Sequence, residues 1–185
     1  MNHLSLRRYL YVFPIMALLL SLAHPSGALG ALPTQRPEAG MLEVTVQVDG
    51  LSCPFCAYGL EKKLKKVENV ADLSIQVDQG RAVLTPEVGT SLDLEELEKA
   101  VRDGGFTPHG ITLIARGRLT EFNGVPALEL PNDTVLLLSD NAETSALLES
   151  GSGAVVRVEG QATLESKDGH TGHPYTLSIS AFEID

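Results

Sequence analysis

Val44-Thr45-Val46-Gln47-Val48-Asp49-Gly50-Leu51-Ser52-Cys53-Pro54-Phe55-Cys56 decides the reading of this chain. Val44, Val46 and Val48 fall on one face of an extended segment while Thr45 and Gln47 point the other way, so the stretch opens as a strand. Asp49-Gly50 breaks that strand into a loop. From Ala57 the period changes: Ala57, Leu60, Leu64 and Val67 share one helical face. The two cysteines therefore sit where a loop runs into the first turn of a helix. Unpaired backbone N–H groups and the positive end of the helix dipole favour thiolate over thiol at such a place. Two thiolates three residues apart can converge on one soft metal ion. Cys53 and Cys56 are the only two cysteines in the sequence.

Outward from this stretch, Leu73-Ser74-Ile75-Gln76-Val77 alternates, Asp78-Gln79-Gly80 turns, and Arg81-Ala82-Val83-Leu84-Thr85 returns, which predicts a hairpin. Ser91 or Asp93 can cap a second helix in which Leu94, Leu97 and Val101 make the apolar stripe, with Leu92 just ahead, and Gly104-Gly105 ends it. Ile111 to Ile114 is the next strand. The order is βαββαβ, an α+β, ferredoxin-like sandwich with two helices on one face of an antiparallel sheet.

Gly50 to Cys56, with Leu60, the lysine-rich helix and Val67-Glu68-Asn69-Val70 after it, resembles the heavy-metal-associated domain family over roughly residues 42–115. That domain occurs in copper chaperones, in the N-terminal tails of metal-pumping ATPases and in periplasmic mercury-binding proteins. The resemblance implies the same βαββαβ fold, with Cys53 and Cys56 as metal ligands. It also implies an aromatic near the metal loop, at Phe106. The family usually has Met where Leu51 stands, and Pro54 between the cysteines is less usual, which bears on metal identity more than on fold. Two thiolates alone satisfy a linear site, which suits Cu(I) first and also Hg(II) or Ag(I), and leave Zn(II) two ligands short of its usual four.

Residues 1–30 read as a signal peptide: Arg7 and Arg8 precede an apolar run from Tyr9 to Ala23, and Ala28-Leu29-Gly30 is a small-residue cleavage site. The run is shorter than the roughly 20 residues a membrane span needs. The expectation is export to a periplasm or beyond, without stable membrane insertion once the segment is cleaved; an uncleaved anchor is the alternative. No cysteine lies near the cleavage site to carry a lipid. Removal takes two Arg and no acids, so Lys+Arg falls from 14 to 12 against 24 Asp+Glu and the formal charge moves from −10 to −12. Such a chain is not held on nucleic acid by long-range attraction. Residues 31–41, with Pro33, Pro37 and Gly40, read as a flexible leader.

Lys62, Lys63, Lys65 and Lys66 point away from the Leu60–Leu64 face, with Glu61 placed to pair with Lys65. They form either a solvated outer face or a docking patch for an acidic metal-transport or metal-accepting protein, and no other basic cluster follows residue 30. Residues 116–185 change character. Strands at 116–119, 127–130, 134–138, 154–160 and 175–184, with a short helix at 142–148, match the order of a small OB-like barrel. Its first strand can begin at Ile111, shared with the first domain. No Trp is present and the only methionine after residue 30 is Met41, so a copper site on this barrel is not expected.

Two rival chemistries remain on the sequence. Cys-Pro-Phe-Cys is also the spacing of thiol–disulfide oxidoreductases, although a hairpin follows the cysteine helix where a thioredoxin-type core needs another helix and strand. Alternatively the OB-like part is the binding end of an interaction protein. His109 reads as a loop histidine, and His170 with His173 is a weak metal pair. No phosphate loop, Ser/His/Asp set or catalytic carboxylate pair is found, so no enzymatic activity is expected.

Overall fold

β1 (Gly40–Asp49) is the central strand of the first half of the chain. Val44, Val46 and Val48 are buried on one face, as their alternation requires. It pairs antiparallel with β3 (Arg81–Pro86) on one side and β4 (Thr107–Phe122) on the other, and β2 (Val70–Gln76) completes the order β2-β3-β1-β4. The helices α1 (Pro54–Leu64) and α2 (Leu94–Asp103) pack through buried Ala57, Leu60 and Leu64 and through buried Leu94, Leu97 and Val101. Each fully buried Leu in this layer contributes about 1.5–3 kcal/mol. Asp93 caps α2, its carboxylate accepting from the N–H groups of Glu95 and Glu96 at 2.9 and 3.1 Å. The result is the ferredoxin-like α+β sandwich. The computed structural model describes residues 38–149, 151–164 and 175–185.

The expected leader ends earlier than residue 41. Gly40 and Met41 belong to β1, and Met41 is buried, with its N–H donating to the Thr90 carbonyl at 2.9 Å. A register shift between Met41 and Glu43 interrupts the strict alternation, which is why the pattern of apolar residues does not reach back to Met41.

β4 does not stop at Ile114. It runs sixteen residues, and its Ile111–Arg116 portion pairs with β1 on one edge and with β7 (Val155–Leu164) on the other. Its far end forms a hairpin with β5 (Val125–Glu129) across Asn123-Gly124, whose φ values of 53° and 81° suit a two-residue turn. β5 pairs with β6 (Val135–Leu138), β6 runs parallel to β8 (Tyr175–Ile184), β8 pairs with β7, and β7 returns to β4. Five strands thus close into a ring, with α3 (Ala142–Leu148) between β6 and β7. Closure removes the exposed edge that β4 would otherwise present. Two glycines allow strands to approach at the corners: a Cβ on Gly117 would lie 2.5 Å from the Glu129 carbonyl oxygen, and one on Gly160 2.4 Å from that of Ser178. Buried Arg116 pairs with Asp185, fixing the last residue of the chain against the shared strand. Among the described residues no helix is long and apolar enough to cross a membrane.

Candidate metal site

Cys53 is the residue before the first turn of α1, in extended conformation (φ −127°, ψ 123°), and Pro54 follows at the first helical position, where a missing N–H costs nothing. The Cys53 carbonyl accepts the first helical hydrogen bond from Ala57 at 3.0 Å. Buried Leu51 anchors the preceding loop, and Gly50 turns it with φ 84°. Cys53 is half-buried, Cys56 is exposed, and the two are not joined as a disulfide.

The two thiols are unequal. Cys53 lies below the ordinary thiol value because the Cys56 amide, then the Cys56 thiol, then the Phe55 amide favour its charged form. None of these contacts has the geometry of a full capping hydrogen bond, so the stabilisation is that of amide dipoles aimed at a sulfur. Cys56 is pushed up by its hydrogen bond to Cys53 and by the charge that Cys53 carries. One proton leaves easily and the second with difficulty, as expected of two acids that share a site.

Cys56 opens onto a depression of about 520 Å³ walled by Phe55, Phe106 and Thr107 and floored by Gly50, Gly59, Gly104 and Gly105. Phe106 packs against the core and borders this depression at once, so the expected aromatic beside the loop and an ordinary core aromatic are the same contact. Phe55 is 91% exposed and Tyr58 60% exposed. Sequence reasoning did not single these rings out, although the spacing of Ala57, Leu60 and Leu64 leaves both off the buried stripe. On the outer face Lys62, Lys63, Lys65 and Lys66 are all exposed. Lys65 pairs with Glu61 at 2.5 Å, and the Lys62 ammonium sits 4.4 Å from the centre of the Tyr58 ring.

His109 is in β4, not in a loop, with Nδ1 3.2 Å from Asp49 Oδ2 on the exposed surface. His170 and His173 lie outside the described residues. Among the described residues no three His, Cys, Asp or Glu side chains come together as a metal-binding group.

Residues 45–107 match the heavy-metal-associated domain. Over 63 residues the chain is 33% identical to the mercuric transport protein periplasmic component of Shigella flexneri, a match covering 34% of this chain and 68% of that protein. The chain belongs to the heavy-metal-associated domain family. It is also 38% identical over 61 residues to copper-transporting ATPase 2 of Rhizobium meliloti (strain 1021), covering 33% of this chain but only 7% of the ATPase. Among solved structures, the putative copper-ion-binding protein from Bacillus anthracis str. Ames aligns with a TM-score of 0.33 at 25% identity, over 37% of this chain and 96% of that one.

Proposed function

We propose that this is an exported, non-enzymatic carrier of a soft metal ion, which it holds on Cys53 and Cys56 and passes to another protein. The observation that carries the reading is the placement of Cys53 at the mouth of α1, with backbone amides favouring its thiolate, and of Cys56 one turn further on. Two thiolates with no third ligand beside them among the described residues suit Cu(I) best, with Hg(II) or Ag(I) next and Zn(II) least, because a soft ion accepts two-coordination. Membership of the heavy-metal-associated family supports the metal, and the names of the copper-transporting and mercuric transport relatives support this range of ions.

Release follows from the inequality of the thiols. An incoming thiolate bonds to the ion as a third ligand. The bond to Cys56 then breaks first, because Cys56 is the exposed sulfur and the one an incoming ligand reaches. A second incoming thiolate displaces Cys53 last. No electron is transferred, and every sulfur that leaves the metal is free to be reprotonated. The exposed Phe55 and Tyr58 rings and the four lysines of α1 are the surface on which an acidic metal-transport protein docks.

In this reading residues 1–30 are the signal peptide, a short leader runs from 31 to the start of β1 at Gly40, the metal domain extends from β1 to residue 115, and 116–185 is an OB-like barrel. The strand ring β4-β5-β6-β8-β7, with α3 after its third strand, supports the barrel assignment. The relative's name as a periplasmic component supports a periplasmic or secreted location. The test is chelator competition: the Cys53→Ser/Cys56→Ser protein loses high-affinity Cu(I) binding, and retention of parental affinity overturns the site.

The unequal thiols also favour a second reading, a thiol–disulfide module in which Cys53 is the attacking sulfur. Catalysis of insulin reduction by the metal-free protein would select it over the carrier.

A further inference from the structure

We propose that Gly59 sets which thiol ligands reach the metal: it holds open the side of Cys56 by which a cysteine carried on a protein chain comes in with its flanking main chain. The proposal rests on the reading of Cys56 as a metal ligand and deepens it by naming the form of the incoming thiol. Gly50, Gly59, Gly104 and Gly105 all line the depression beside Cys56. Three of them have a reason in the fold. Gly50 and Gly105 have φ of 84° and 85°, where any side chain is strained. On Gly104 a Cβ would lie 3.2 Å from both Leu60 Cδ1 and the Val101 carbonyl oxygen. Gly59 has neither reason: it is inside α1, and a Cβ there meets nothing within 4 Å. Glycine inside a helix weakens it compared with alanine, so helix stability is given up here for room.

The neighbouring lysines leave that room open. Lys62 and Lys63, three and four residues on, are the side chains placed to lean back over Gly59. Lys62 is drawn instead onto Tyr58, its ammonium 4.4 Å from the ring centre. Lys63 stands near Asp103 at the end of α2, whose carboxyl is held below the usual range first by its hydrogen bond to Lys99 and further by the charge of Lys63. Gly59 follows Cys56 by three positions and Phe55 by four, so the gap falls beside the exposed sulfur and the exposed ring.

The size and walls of the gap identify what enters it. A depression of about 520 Å³ far exceeds what a sulfur atom alone needs. Bare backbone at Gly59 lets a second main chain approach closely. Phe55 on one side and Phe106 on the other offer apolar surface to residues flanking the thiol, and the exposed Lys62 and Lys63 favour acidic ones among them. In the exchange a sulfur–metal bond forms to the incoming thiolate and the Cys56–metal bond breaks. The Cys56 sulfur leaves with its electron pair and takes a proton from solvent, and the metal keeps its oxidation state. Gly59 touches none of the reacting atoms and acts by the room it leaves.

The test compares two acceptors of Cu(I) from the loaded, full-length protein without oxygen. One is dithiothreitol, which is slim; the other is the peptide acetyl-Gly-Cys-Ala-Ala-Cys-Glu-Glu-amide. The loaded fraction is followed by non-denaturing mass spectrometry after rapid desalting. Gly59→Leu slows transfer to the peptide about tenfold and transfer to dithiothreitol less than about twofold, because only the peptide needs the room beside Cys56. Gly59→Ala falls between Gly59→Leu and the parent. Leucine is a strong helix former, so the Tm of Gly59→Leu is no lower than the parent's. The proposal is overturned if Gly59→Leu slows both acceptors alike, slows neither, loses Cu(I) affinity in chelator competition, or lowers the Tm, since position 59 is then not open. Parental Cu(I) affinity in Cys53→Ser/Cys56→Ser would overturn the cysteine site and this proposal together. With that site intact, equal effects on the two acceptors overturn this proposal alone.

Discussion

Separating the two thiols by single substitution tests the order in which the metal site gives up its protons. In the parent, the Cys56 amide, the Cys56 thiol and the Phe55 amide lower Cys53, while Cys53 itself raises Cys56. In Cys56→Ser the two amides remain and a serine hydroxyl replaces the thiol donor, so Cys53 still titrates below an ordinary thiol, near 8.5. In Cys53→Ser the two largest causes acting on Cys56 disappear and only desolvation is left, so Cys56 moves down toward that ordinary value. The sign for metal binding follows, because each ligand must lose its proton. Below the first titration two protons are released per ion and affinity falls about 100-fold per pH unit on acidification. Between the two steps one proton is released and the fall is about tenfold, and above the second it is flat. Thiolate absorbance of the reduced, metal-free protein gives the two steps, and Cu(I) competition against a chelator of known pH dependence gives the slopes. A single two-proton step at the ordinary thiol value, with no intermediate slope, would refute the unequal pair. A Cys56→Ser protein whose remaining thiol is no more acidic than a free one would refute its cause.

Other consequences are measured by denaturation and kinetics. Leu60→Ala, at a fully buried position on the α1 face, costs about 2–5 kcal/mol in urea unfolding. Gly59→Ala acts in the opposite direction: it lies inside α1 and a Cβ there meets nothing within 4 Å, so the helix gains about 0.5–1 kcal/mol. Gly160→Ala must push the Ser178 carbonyl aside from 2.4 Å and lowers the Tm of the whole protein, whereas Gly151→Ala, where the Cβ is unobstructed but φ is 91°, costs only backbone strain. Replacing Lys63 and Lys66 by glutamate slows Cu(I) transfer to an acidic acceptor domain at low salt, and the difference from the parent shrinks as salt shortens the screening length from ~10 Å at 0.1 M to ~3 Å at 1 M.

The sandwich was legible because its signals are local. The valine alternation of β1, the change of period at Ala57, the Asp93 cap and the stripe of α2 each report on residues within one or two turns of each other. So did the helix at 142–148 and the last strand at 175–184, whose expected limits coincide with α3 and β8. What the sequence hid depends on partners far along the chain. That one strand can run from Ile111 through Arg116-Gly117 was one reading of this stretch, but nothing local says why a charge and a glycine follow the apolar run. Both are required in the continuous β4: Arg116 is buried against Asp185, sixty-nine positions away, and Gly117 admits the Glu129 backbone. The cysteines' place at the loop–helix junction was readable, but the inequality of the thiols was not, because it comes from the direction of two amides.

A single helix relates the barrel to the metal site. The first turn of α2 lines a cleft with Asn132 to Leu136 of the barrel, and the residues that end it, Gly104 to Phe106, border the depression beside Cys56. Ten residues of helix separate the two by about 15 Å. The helix is held along its length by Leu94, Leu97 and Val101, all buried, so it shifts as a body or not at all. β4 imposes the same condition on the sheet, because its Ile111–Arg116 portion is bonded to β1 on one edge and β7 on the other. The barrel therefore cannot swing independently of the strand from which the metal loop departs. A displacement in the barrel reaches the cysteines through α2 and β4 or it does not reach them, and any coupling found between barrel and metal site must by linkage act equally in both directions.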